Sequence, residues 1–230
     1  VLSVDAMGGD QGPAPVVAGL AKAARKAPDL RFILHGPEAE LTKLVQRRKL
    51  LRDVTLVRDA SGVVQMSDRP SHVMRHGRDT SMWSTVDAVR AGEATVAVSC
   101  GNTGALMALS MVRLRKMPGV NRPAIAILWP SRNPQGFNVM LDVGADIRPD
   151  AVDLAQYALM GESYASNGLD LSRPRVGLLN VGTEEHKGRA ALHEADARIS
   201  ALAEEAAFDY VGFVEGGDIP GDACDVIVTD

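Results

Sequence analysis

Aromatic side chains are scarce in this 230-residue chain, at 4% of the total. That leaves few platforms for base stacking and argues against single-stranded nucleic-acid binding. The net charge of −4 likewise supplies no overall attraction to a phosphate backbone, so no nucleic-acid partner is expected. Cysteine is nearly absent too. Cys100 and Cys224 are too few and too far apart for a disulfide scaffold or a cysteine-rich zinc site, which suits a reducing cytoplasm. No apolar run is long enough to span a bilayer, and the chain opens on a strand pattern rather than a signal peptide. A Gly-x-Gly-x-x-Gly turn with a downstream acid is missing, which argues against a dinucleotide dehydrogenase. Gly104 is followed by Ala105 rather than lysine, which argues against a nucleotide P-loop. No tight ligand cluster demands a metal, and no cofactor is expected.

What is present is an ordinary globular composition, 46% hydrophobic and 23% charged, of a length that suits one large α/β domain or two small ones. Strand patterns fall at residues 2–5, 30–34, 53–57, 94–99, 123–128, 136–142, 175–179, 210–214 and 225–228. Helical patterns lie between most of them, while 61–78 gives no clear period. Such alternation predicts a mostly parallel sheet with helices on both faces. Ligands of such sheets gather at the carboxyl ends of the strands. Glycine-rich turns follow Asp5, Ser99, Asp142, Asn180 and Glu215, all at those ends.

One turn stands out. The run Ala94-Thr95-Val96-Ala97-Val98-Ser99 is a strand, Cys100-Gly101-Asn102-Thr103-Gly104 is a tight turn, and a helix begins near Ala105. The first N–H groups of a helix lack partners within it, and the helix dipole favours an anion there. Gly101 and Gly104 let a ligand approach the backbone, and Asn102 and Thr103 add donors, so the turn reads as a phosphate seat. An ordinary capped strand-to-helix turn fits the same residues. Asp10 reads as a helix cap. His35, His72, His76 and His193 read as surface residues, and Cys100 as a small buried one. The cations Arg47, Arg48 and Lys49, like Arg113, Arg115 and Lys116, sit where they complement helix C-termini.

Taken together, Asp5-Ala-Met-Gly-Gly-Asp10, Ser99-Cys-Gly-Asn-Thr-Gly-Ala-Leu-Met107, Leu141-Asp-Val-Gly-Ala145, Arg175-Val-Gly-Leu-Leu-Asn180, Glu184-Glu-His-Lys-Gly188 and Val214-Glu-Gly-Gly-Asp-Ile-Pro220 resemble the phosphate acyltransferases of bacterial phospholipid synthesis, the PlsX family. The resemblance runs in order through residues 1–230. It implies transfer of a long acyl chain from acyl carrier protein to inorganic phosphate, giving an acyl phosphate. It further implies an isopropylmalate dehydrogenase-like or phosphotransacetylase-like fold, a homodimer, and cytoplasmic location with peripheral contact at the membrane. Residues 1–230 are then expected to be a single α/β acyltransferase domain whose C-terminal part is absent. Cys100, Gln11 and Asp146 depart from the family's usual residues.

Attack of phosphate on a thioester needs the dianion held beside the carbonyl and the resulting oxyanion stabilised, one donor to which is worth roughly 3–4 kcal/mol. The phosphate seat is therefore assigned to Gly101, Asn102, Thr103 and Gly104 with Gly8 and Gly9. Lys187, Asn180 and Asn102 are assigned to catalysis, with Lys187 held in a turn by Asn180 and Glu184. Asp5, Asp10, Asp142 and Glu184 are supporting residues that orient donors, bind a cation or cap helices. His186 could act on the leaving thiol, and an acyl-enzyme on Cys100 is the disfavoured route. Two other functions fit: a short-chain phosphotransacetylase using coenzyme A, and a non-catalytic module that docks acyl carrier protein on Arg113, Arg115, Lys116 and Arg122.

Overall fold

Side chains alternate along β1 (Leu2–Asp5) and β2 (Phe32–Gly36), and that alternation decides which helix each face receives. Leu2, Val4, Phe32 and Leu34 point to one face and pack with α1 (Pro13–Lys26) and α2 (Glu38–Gln46). Ser3 and His35 point to the other face, where they meet α4 (Ser81–Arg90). The computed structural model describes residues 1–144, 149–183 and 187–229. They form two compact units, Val1–Met117 and Pro118–Asp230, each with its own sheet, where the strand pattern alone suggested one sheet.

In the first unit, β3 (Thr55–Asp59) and β4 (Val96–Val98) complete a four-stranded sheet of order β3-β2-β1-β4. Every pair is parallel. The chain moves outward from β1 to β3, then returns to the far side of β1. Right-handed crossovers therefore put α1 and α2 on one face and α4 on the other. The reversal leaves a switch point between β1 and β4, where the turns after them open a crevice at the carboxyl edge.

Sequence boundaries shift by a residue or two where turns intervene. Leu30 N–H closes a turn on Ala27 O, so β2 starts at Phe32. The unclear stretch 61–78 contains α3 (Pro70–His76), seven residues with Val73 as their one buried residue, too short to show a helical period. Thr80 caps α4, its hydroxyl accepting the N–H of Trp83. Asp10 does not cap α1: the cap position is Gly12 at φ 70°, no side chain bonds there, and Pro13 brings no N–H to cap. His35, expected at the surface, is fully buried. Past α2 the chain tightens into a 3-10 turn that buries Leu51 and leaves Leu50 exposed, so the basic run 47–49 does not continue an amphipathic helix.

The second unit holds β5 (Ala126–Pro130), β6 (Phe137–Leu141), β7 (Arg175–Leu179), β8 (Asp209–Val214) and β9 (Val226–Val228) in the order β5-β6-β9-β7-β8. Only the β5–β6 pair is antiparallel. The helices α6 (Ala151–Leu169) and α7 (Ala190–Ala203) follow crossovers in one direction and share one face with Val139, Val176 and Val226. Ile219 and Cys224, from the helix-free return to β9, pack on the other face with Met140 and Ile227. Asp150 starts α6 with a reciprocal capping box to Asp153. Gly161 lets the helix approach the sheet: a Cβ there would lie 2.5 Å from Val226 Cγ1.

Candidate functional site

The turns after β1 and β4 lock together at the switch point of the first sheet. Asp5, 2% exposed, accepts the Met7 N–H on Oδ1 at 3.0 Å and the Ser99 hydroxyl on Oδ2 at 2.7 Å. Ser99 Oγ in turn accepts the Gly101 N–H at 3.1 Å. Gly8 fits under this arrangement because it lacks a side chain: a Cβ would lie 2.6 Å from Gly101 N, 2.7 Å from Ser99 Oγ and 2.8 Å from Asp5 Oδ2. Gly9 is not crowded, its nearest neighbour being Cys100 Cβ at 3.9 Å. The sequence pattern groups the two glycines; packing separates them. Ser99 joins the site without having been singled out by the sequence pattern, although a serine two positions before a turn glycine is a usable sign of such a staple.

The helix that follows is α5 (Thr103–Arg113), with Asn102 as its cap. Asn102 Oδ1 accepts the Ala105 N–H at 3.0 Å. Its amide nitrogen faces three carbonyls, those of Gln65 at 3.2 Å, Met66 at 3.1 Å and Asp68 at 2.9 Å. Both ends of this 8%-exposed side chain are thus committed inside the protein. Asn102 shapes the turn, while the N–H groups of Thr103 and Gly104, both exposed, carry no hydrogen bond among the described residues. Two aligned donors at a helix start, with about half a positive charge from the dipole, suit one anionic oxygen cluster. Cys100 is exposed at the turn, which corrects its expected burial; its place on the rim, outside the packed sheet, is the reason.

From this turn an open groove of about 650 Å³ runs back along β1 beneath α1. Asp5, Gly9, Asp10, Gln11, Ser99 and Cys100 line its turn end. Leu2, Val4, Val16, Leu20, Phe32 and Val98 line the rest, so it is polar at one end and apolar along its length. Leu2 pairs with Phe32 at the amino ends of their strands, which puts the apolar walls at the far end from the turn.

The second unit brings two further candidates to the carboxyl rim of its own sheet. Asp142 follows β6, is buried, and accepts the Ile125 N–H at 2.8 Å. Asn180 follows β7. Its oxygen accepts the Val181 N–H at 2.9 Å and its amide donates to Lys187 O at 3.1 Å. Gly188, at φ 94°, lies hard against the Asn180 amide, where no other residue type would fit. Glu184 and His186, like Asp146, lie outside the described residues.

Beneath the first sheet, the His35 ring bridges two serines. Ser3 Oγ donates to Thr85 O at 2.8 Å, so its contact with His35 Nε2 at 2.8 Å places the proton on Nε2. Nδ1 then accepts from the Ser84 hydroxyl at 2.7 Å. Burial, reinforced by the Arg58 charge, lowers the His35 pKa to about 4 and holds the ring neutral. Of the expected docking cations, Arg113 pairs with Asp87 at 2.7 Å over the Trp83 ring, and Arg122 faces Asp153 at 3.8 Å.

A sequence model of a family described as fatty acid synthesis protein matches residues 1–230. The chain is 72% identical over 230 residues to a phosphate acyltransferase of Ruegeria sp. (strain TM1040), covering all of this chain and 61% of that protein. It is 71% identical to one of Roseobacter denitrificans, covering 64% of it. It therefore spans a little under two thirds of the length of these curated relatives. Among solved structures it resembles a phosphotransacetylase from Streptococcus pyogenes with a TM-score of 0.68 at 17% identity, over 99% of this chain and 77% of that one. The EutD phosphotransacetylase from Staphylococcus aureus gives 0.64 at 17% identity, over 100% and 77% of the two chains. At that identity the likeness concerns the fold.

Proposed function

The chain belongs to the fatty acid synthesis protein family, and from that premise we propose that it moves a long-chain fatty acyl group from acyl carrier protein to inorganic phosphate. Residues 1–230 serve as a single α/β acyltransferase domain in this reading. A phosphate oxygen attacks the thioester carbonyl carbon, the C–S bond breaks, the phosphopantetheine thiolate leaves and takes up a proton, and an acyl phosphate remains. Phosphate is already nucleophilic near neutral pH, so the protein's work is positioning and charge stabilisation. The N–H groups of Thr103 and Gly104 hold the dianion at the turn that Asp5, Ser99, Gly8 and Asn102 shape. Lys187 and Asn180 are further catalytic candidates, at the carboxyl rim of the second sheet.

The observation that carries this is an apolar groove that reaches Ser99 and Cys100, the residues immediately before the turn glycine Gly101. A polar head and a long apolar tail match an acyl phosphate, and the groove favours a long chain over an acetyl group. Each buried methylene contributes about 0.8 kcal/mol. The exposed Val112, Leu114 and Met117 beside Arg113 and Arg115 support further contact with a second copy of the chain or a membrane surface. The test supplies long-chain acyl carrier protein and phosphate and follows acyl phosphate as a ³¹P signal, with acyl-coenzyme A as the competing donor. Equal use of acetyl-coenzyme A would favour a phosphotransacetylase. Carrier binding without phosphate consumption would leave only a docking module.

A further inference from the structure

The Asn102 amide holds more than the turn. The three carbonyls it gathers belong to 65–68, a segment closed on itself by Asp68 Oδ2, which accepts the Gln65 N–H at 2.8 Å. Two residues on, Pro70 begins α3, and its Cγ lies 3.3 Å from where a Cβ on Gly104 would stand. Arg69 is thus bracketed. The residue before it is tied to Asn102, and the residue after it abuts Gly104, whose N–H is one of the two open donors. Its side chain is exposed and has no hydrogen-bond or ion-pair partner among the described residues. Arg75, the next arginine, is six residues along the chain, about 9 Å further at helical rise.

We propose that Arg69 binds the phosphate at the 101–104 turn, and that Asn102 is the positioning residue that keeps Arg69 there. The proposal rests on the phosphate seat described above and supplies what that seat lacks, a cation from its own unit. Lys187, the cation that the sequence pattern favours, belongs to the other unit. A guanidinium suits this position, since its planar fork meets two phosphate oxygens at once and it stays charged at any working pH.

Inorganic phosphate binding to the protein, followed by titration calorimetry, tests this without requiring turnover. Arg69→Gln should weaken binding tenfold or more. Arg69→Lys, which keeps the charge and loses the fork, should fall between that variant and the parent. Arg25→Gln, at the far end of α1, should bind as the parent does. Asn102→Ser keeps a capping oxygen for Ala105 but removes the amide, and should also weaken binding with little change in melting temperature. In the double variant the two losses should not add, since Asn102 acts through Arg69. Unchanged affinity in Arg69→Gln overturns the proposal. Additive losses overturn the positioning role of Asn102. A parent that binds no phosphate sinks the proposal with the seat. A parent that binds phosphate with Arg69-dependent affinity yet transfers no acyl group supports the proposal and sinks the acyltransferase function alone.

Discussion

Replacing Gly8 by alanine tests the interlocked turns most directly. The added Cβ would stand 2.6 Å from Gly101 N, and ordinary contact begins near 3.4 Å, so the two turns must part by about 0.8 Å. None of the three crowded atoms is the free end of a flexible side chain, because Asp5 Oδ2 and Ser99 Oγ are bonded to each other at 2.7 Å. Overpacking of this kind costs about 1–3 kcal/mol. The functional cost is larger in proportion, since a misplacement of about 1 Å at a reacting group lowers rates on the order of a hundredfold. Gly8→Ala should therefore lower kcat/KM for acyl phosphate formation about a hundredfold while the protein still folds. Gly9→Ala is the internal comparison for stability: with 3.9 Å of clearance its melting temperature should match or exceed the parent's. Paired denaturant melts and initial rates give both answers. If Gly8→Ala melts and turns over like the parent, the two turns are not in the contact described, and the site built on them fails.

The neutral His35 makes stability depend on pH. Its pKa falls from 6.5 to about 4 on folding, so the contribution is complete above pH 6.5 and is lost as the pH drops toward 4. The parent should lose about 2–3 kcal/mol of unfolding free energy between pH 7 and 4.5 that His35→Asn does not lose; parallel urea melts at the two pH values decide it, and equal losses would contradict a buried neutral ring. Gly188→Ala combines a φ of 94° with a clash on Asn180. It should cut activity severely with a smaller change in melting temperature, and a fully active variant would show that the Asn180–Lys187 loop has no part in the chemistry. Gly19→Trp fills the groove from an open position on α1. KM for long-chain acyl donors should rise at least tenfold with shorter chains spared, and uniform kinetics across chain lengths would remove the groove from the acyl site.

Much of the fold was written in local pattern. The strand patterns at 2–5 and 175–179 coincide with β1 and β7 to the residue, because strand formation there is a short-range choice between backbone states. The glycine turns at the strand ends were legible for the same reason. Division into two sheets was not, since strand pairing is a long-range event that leaves the same local period whichever neighbour is chosen. The roles of individual turn residues were hidden likewise. Asn102 reads as a donor for a ligand until its amide is seen to be occupied by residues 34 to 37 positions away. His35 reads as a surface histidine until β1 and α4 close over it with Ser3 and Ser84. Local sequence determined most of the strands, helices and turns. Only the packing of distant segments decided which turn atoms stay open, because a polar group's availability depends on every neighbour that the fold brings within hydrogen-bond reach.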